Sequence, residues 1–154
     1  MIEQLTSNSL SAAFLLRSLT SHHSHPHLLL NCGVAEVECI RLGLLQWGAA
    51  PVRHCKLPGP LLLPRVRRGT LLLEDVHYLN LNQQIALYDW MTPGCDGLQV
   101  ISITTGALDG MVKRGEFLEG LYYRLNVVRL DIKSTQPVSP LRTAFQQLEA
   151  QHGY

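Results

Sequence analysis

The side chains of this sequence that could do chemistry gather in a few places. The apolar run Gly69-Thr70-Leu71-Leu72-Leu73 ends on two acids, Glu74 and Asp75. That is the pattern of a buried parallel strand delivering carboxylates to its C-terminal edge. His22, His23, His25 and His27 are crowded enough to suggest a metal, but Pro26 interrupts regular geometry among them. Metal sites need ligands converging at fixed spacing, so a solvent-exposed loop is the expectation. Cys32, Cys39, Cys55 and Cys95 include no C-x-x-C pair, which argues against zinc or a redox motif and for reduced thiols. Arg65, Arg67 and Arg68, with Arg53, His54 and Lys56 nearby, could contact phosphate or an acidic partner. A charge run in a proline-rich loop is usually only solvated.

The elements that must position these groups follow from periodicity. Residues 10–19 read as a buried helix, with Leu10, Phe14 and Arg17 on one side and Leu15, Leu16 and Leu19 near the other. Leu28-Leu29-Leu30 reads as a strand, and residues 34–47 as a helix with Val37, Ile40, Leu44 and Leu45 on its apolar face. Pro51, Pro58, Pro60 and Pro64 exclude a long helix over 48–68 and imply an irregular connection with room for one short strand. Asn80 then caps a helix, with Gln83 as capping-box partner and Leu81, Ile85 and Tyr88 on the buried face. Residues 98–104 form another buried strand, 108–124 one or two short helices and 127–132 a last strand. Ser139-Pro140 starts a terminal helix with Leu141, Phe145 and Leu148 inward. This alternation predicts an α/β fold, a mainly parallel sheet flanked by helices.

Composition sets the outer bounds. With 154 residues, 46% apolar and 16% charged, the chain can bury one core, and a single domain over 1–154 is expected. A net charge of +1 gives no global drive toward nucleic acid or anionic membrane. No apolar run approaches the roughly 18 to 20 residues that span a bilayer. The N-terminus has no basic region leading into an apolar stretch, so a cytoplasmic protein is expected.

Three stretches resemble the central AAA+ domain of sigma-54-dependent transcriptional activators. Gly69 to Val76 is similar to the family's Walker B strand, G-T-L-F-L-D-E-I, and Leu79, Leu81, Gln84 and Leu87 continue the match. Val100-Ile101-Ser102-Ile103-Thr104-Thr105 is similar to V-I-A-A-T-N, whose final Asn is the sensor. Most specific is Gly115-Glu116-Phe117-Leu118-Glu119-Gly120-Leu121-Tyr122-Tyr123-Arg124-Leu125-Asn126-Val127, set against G-x-F-R-E-D-L-Y-Y-R-L-N-V. Pro140-Leu141-Arg142 resembles P-P-L-R, and Asn31-Cys32 a V-N-C strand end. The resemblance implies a P-loop NTPase core of the AAA+ type.

The same resemblance implies a dismantled nucleotide site. A P-loop closes backbone N–H groups around phosphate, and a lysine neutralises it. Aligned here, it falls on Thr6-Ser7-Asn8-Ser9-Leu10-Ser11-Ala12, with no glycine and with Ala12 at the lysine position. Only Met1 to Leu5 remain for the strand before it. Glu74 and Asp75 stand in swapped order at the magnesium-binding acids, which moves each carboxylate by about 1.5 Å around a metal that tolerates little distortion. Misplacement of that size can cost roughly a hundredfold in rate. Thr105 takes the sensor position, Leu118 replaces the first of two trans-acting arginines, and Arg124 keeps the second, where a structural salt bridge is the expected role. The sigma-contacting G-A-F-T-G-A loop should lie near 45–52, where Gly48-Ala49-Ala50-Pro51 lacks its Phe-Thr pair. The helical lid and a helix-turn-helix module are expected to be missing, so direct DNA binding is not expected.

These readings point to a catalytically inactive relative that binds no cofactor and no metal. Its expected partner is a protein, either an intact AAA+ activator or a second copy of itself. The alternative is an ATPase domain with an altered site using Glu74, Asp75 and Arg124. Trp47 and Leu61 to Leu63 are expected to form an exposed apolar patch that a partner covers.

Overall fold

The computed structural model describes residues 2–5, 16–20, 26–94 and 97–132. Its strands are β1 (Ile2–Leu5), β2 (Leu28–Cys32), β3 (Val52–Lys56), β4 (Gly69–Glu74), β5 (Leu98–Thr104) and β6 (Val128–Ile132). They form one sheet in the order β1-β6-β2-β5-β4-β3, and every described pairing is parallel. The helices are α1 (Val37–Trp47), α2 (Leu81–Met91), α3 (Leu108–Lys113) and α4 (Glu119–Leu125). Residues 16–20 are also helical. The remainder of the helix expected over 10–19 and the one expected after Ser139 lie outside the described residues.

Alternation along β2, β4 and β5 sends successive side chains to opposite faces, and each face is covered. Leu28, Leu30, Leu72, Ile101 and Ile103 pack under Leu16 and under Cys39, Ile40 and Leu44 of α1. Leu29, Leu71, Leu73 and Val100 pack under α2, α3 and α4 through Leu87, Met91, Leu108 and Leu121. Being buried on both sides explains why β4 reads as an apolar run and why β5 is mostly apolar, with its Gln99, Ser102 and Thr104 buried as well. The Pro-rich stretch contains one short strand, β3, at the edge of the sheet.

Two expectations about placement are corrected. The capping box of α2 is present, with Asn80 Oδ1 accepting the Gln83 N–H at 2.8 Å and Gln83 Oε1 accepting the Asn80 N–H at 3.1 Å. Its inner face, however, is Gln84, Leu87 and Met91, while Leu81 and Ile85 are exposed. The helix is turned because Gln84 finds three backbone partners: Leu79 O, Glu116 O and the Leu118 N–H. A fully hydrogen-bonded amide can displace a leucine from a core. Nor do Trp47 and the leucines form one patch. Trp47 packs against the α1 side of the sheet, Leu61 and Leu63 against the other, and only Leu62 stands out in solvent.

His27, expected in a solvated loop, is half-buried, and its Nδ1 accepts the Val100 N–H at 3.0 Å. Burial holds its imidazole below the ordinary range. The unfolded imidazole therefore takes up a proton at a higher pH than the folded one, and stability present above about pH 6.5 is lost as pH falls below it. Thermal midpoints should drop between pH 7.5 and 5.5, and His27→Gln should flatten that dependence. His22, His23 and His25 lie outside the described residues.

Candidate functional site

In an open parallel sheet, ligands bind beyond the C-terminal ends of the strands, where neighbouring connections leave toward opposite faces. That point lies between β2 and β5 here. The turn out of β2 leads to α1 on one face, and the turn out of β5 leads to α3 and α4 on the other. The strand expected to precede a P-loop, Ile2–Leu5, instead lies at the sheet edge beside β6, and residues 6–12 lie outside the described residues. The strand–turn–helix unit at the centre is β2–Gly33–α1.

That turn offers no cation. Residues 31–37 read Asn-Cys-Gly-Val-Ala-Glu-Val. The buried Glu36 carboxylate folds back over Gly33, so closely that a Cβ on Gly33 would lie 2.2 Å from Glu36 Oε2. Glu36 thus places its carboxylate at the start of the helical segment, the end at which the helix dipole favours an anion. The Cys32 thiol is pushed far above its ordinary range, first by burial and then by the charges of Glu36 and Asp131.

Two strands along the sheet, Glu74 is completely buried and faced by Arg41, His54 and Lys56. Its Oε1 accepts from Arg41 Nη1 of α1 at 3.1 Å. Its Oε2 lies 3.3 Å from His54 Nε2 and 3.4 Å from Lys56 Nζ, both on β3, without hydrogen-bond geometry to either. Lys56 Nζ also lies 3.6 Å from Asp75 Oδ2. Asp75 takes a left-handed conformation, φ 60°, which only a few non-glycine residues tolerate. It turns the chain into the short helical turn Val76–Tyr78. The two acids are therefore part of a charge cluster that also contains two of the residues read as a solvated basic run.

Thr105, expected at the sensor position, is half-buried just past β5. The residue that meets the segment after the acids is Thr104, which sequence reasoning passed over. Its Oγ1 lies 3.0 Å from His77 Nδ1 and accepts the Gly106 N–H at 3.1 Å. Burial lowers the His77 pKa, against an opposing pull from Asp75. Asn31, Thr104, Asp109 and Arg129 line a pocket with room for little more than one water molecule. Strand parity was the available signal, since Thr104 shares the phase of Val100 and Asn31 that of Leu29.

Arg124 makes no salt bridge among the described residues. Its guanidinium stacks over Tyr88 at 4.5 Å, and its Nη1 reaches the Met91 carbonyl at 3.4 Å, at the C-terminal end of α2. Free carbonyls there attract a cation as a carboxylate would. Arg67 behaves alike, stacking over Trp90 at 4.6 Å and donating to the carbonyls of Trp90 and Gly94. Leu118 supplies the residue before α4. Gly48 to Pro51, where a sigma-contacting loop was sought, is a tight connection pinned by Thr70, whose hydroxyl donates to Ala49 O at 2.9 Å and whose N–H donates to Pro51 O at 3.0 Å. Among the described residues no group of three or more His, Cys, Asp or Glu comes together as a metal site. No helix among them is long and apolar enough to cross a membrane.

The fold is shared with solved structures. NtrX from Brucella abortus in complex with ATP superposes with a TM-score of 0.62 at 17% identity, covering 81% of this chain and 37% of that one. The same protein with ADP gives a TM-score of 0.63 at 18% identity, covering 94% and 40%. A putative NtrX-like response regulator of Rickettsia typhi (strain ATCC VR-144 / Wilmington) is 26% identical over 133 residues, which is 80% of this chain. The chain spans 28% of the length of that relative. The family model described as "Sigma-54 interaction domain" matches residues 52–134, more than half of the chain, from β3 through the charge cluster and the Gly115–Val127 motif to β6. The parallel α/β sheet is thus that of a sigma-54 activator AAA+ core, and the chain belongs to the Sigma-54 interaction domain family.

Proposed function

We propose that this domain is a non-catalytic protein-interaction module that modulates bacterial transcription through contacts with another AAA+ subunit or regulator. The observation that carries the reading is the state of Glu74. A carboxylate that is to hold magnesium must face an open coordination position with negative charge to offer. Glu74 is fully buried, and Arg41, Lys56 and His54 already surround it. The turn at the switch point adds the Glu36 carboxylate where a phosphate would need amides and an ammonium group. These residues do not fit a magnesium–nucleotide complex. Glu74, Asp75, Thr105 and Arg124 then serve the fold, with Arg124 engaged on α2 instead of being offered to a neighbour.

Calorimetric titration with magnesium–ATP tests this directly. Flat heats up to high-micromolar nucleotide are expected, for the native chain and for Glu74→Gln alike. Saturable heat that Glu74→Gln abolishes would restore the acids to a nucleotide site and end the proposal.

A further inference from the structure

The 16 residues from Arg53 to Arg68 carry Arg53, His54, Lys56, Arg65, Arg67 and Arg68 and not one acid. The structure divides these basic side chains in two. His54 and Lys56 turn to Glu74, and Arg67 is engaged on α2. Arg53, Arg65 and Arg68 are exposed and have no ion-pair partner among the described residues. Between them stand two exposed aliphatic side chains, Leu62 at 69% and Val66 at 63%.

The backbone brings these five side chains to one edge of the domain. β3 is the last strand of the sheet, and the connection from Leu57 to Arg68 returns beside it, with the Cys55 thiol 3.5 Å from Leu62 O. The connection is held along its length. Gln83 Nε2 donates to Gly59 O at 2.8 Å, and Trp90 Nε1 donates to Pro64 O at 3.1 Å. Pro58, Pro60 and Pro64 restrict it further. A surface already ordered loses little entropy when it binds, which favours its use as a contact.

We propose that this edge, Arg53, Leu62, Arg65, Val66 and Arg68, is the docking surface for an acidic protein segment that carries apolar side chains. The proposal rests on the reading of the domain as an interaction module and names the chemistry of the partner. Acidic residues on the partner match the unpaired arginines, and its apolar side chains cover Leu62 and Val66. Arginines around a small apolar centre have the composition of a protein interface. Nucleic acid fits less well. Phosphate leaves two aliphatic side chains uncovered, single strands want aromatic platforms, and a net charge of +1 supplies little long-range attraction.

The test is fluorescence anisotropy on the whole chain with three labelled probes. These are a glutamate-rich peptide with two leucines four residues apart, the same peptide without leucines, and a short DNA duplex. The leucine-bearing peptide should bind most tightly and weaken with added salt. Leu62→Ser/Val66→Ser and Arg65→Glu/Arg68→Glu should each weaken it about tenfold while leaving thermal midpoints unchanged, because all four positions are exposed. Failure of that peptide to bind, equal binding by both double variants and the native chain, or tighter binding of the duplex would overturn the proposal. The magnesium–ATP titration reports separately on the reading beneath it, since none of these five residues touches Glu74 or the Gly33 turn.

Discussion

Arg41→Met should cost the fold about 2 to 3 kcal/mol, while Glu74→Met, at the other end of the same ion pair, should cost about 1 kcal/mol or less. The asymmetry follows from burial. Glu74 is inaccessible, whereas Arg41, His54 and Lys56 keep 27%, 28% and 61% of their side-chain surface in solvent. Removing the arginine takes away the only cation among the described residues with hydrogen-bond geometry to the carboxylate, which cannot reach water in exchange. Removing the carboxylate lets the partly wetted Arg41, His54 and Lys56 side chains turn outward and leaves an apolar side chain of similar length at the buried end of β4. The double variant should be more stable than Arg41→Met alone, because the stranded charge is gone. Urea denaturation of the four proteins measures this cycle. A Glu74→Met penalty larger than that of Arg41→Met would show that the cluster does not bear on stability in this way.

How much of this was legible beforehand depends on how local the cause was. The Asn80–Gln83 capping box lies within four residues, and the apolar residues of β4 and β5 advertise burial on both faces. Those elements could be read directly. The buried face of α2 could not, because it is decided by the backbone of Glu116 and Leu118, 32 and 34 residues beyond Gln84. Strand order is equally non-local, so residues 28–32 gave no sign of holding the centre of the sheet while 2–5 lie at its edge. The basic side chains around Glu74 come from 33, 20 and 18 residues upstream, on two different elements. Their only trace in the sequence is that residues 39–73 contain no acid other than the pair that follows. The motif at 115–127 identified the family without revealing that Arg124 faces a tyrosine ring and a helix end.

Gly69→Ala should be the most damaging small substitution in the described core, costing about 3 to 5 kcal/mol or abolishing folding. Two penalties coincide there. At φ 89° an L-residue is strained, typically by about 1 to 3 kcal/mol. A Cβ would also lie 2.2 Å from Pro51 O and 2.8 Å from Pro51 N, and these are backbone atoms that cannot swing aside. They are held because Pro51 O accepts the Thr70 N–H at 3.0 Å and Val52 begins the β3–β4 ladder opposite Thr70. Making room would pull β3 from β4 at its first pair and loosen the Gly69 N–H from Gly97 O, a 2.9 Å bond. Gly115→Ala separates the two penalties, since Gly115 also has a positive φ, 74°, but nothing lies within 4 Å of its Cβ position. That variant should lose only about 1 kcal/mol. At roughly 2 to 4 °C per kcal/mol for a chain of this size, thermal melts should place Gly69→Ala about 10 °C below the native protein and well below Gly115→Ala. Equal midpoints for the two alanine variants would mean that the close approach of Pro51 does not hold the edge of the sheet.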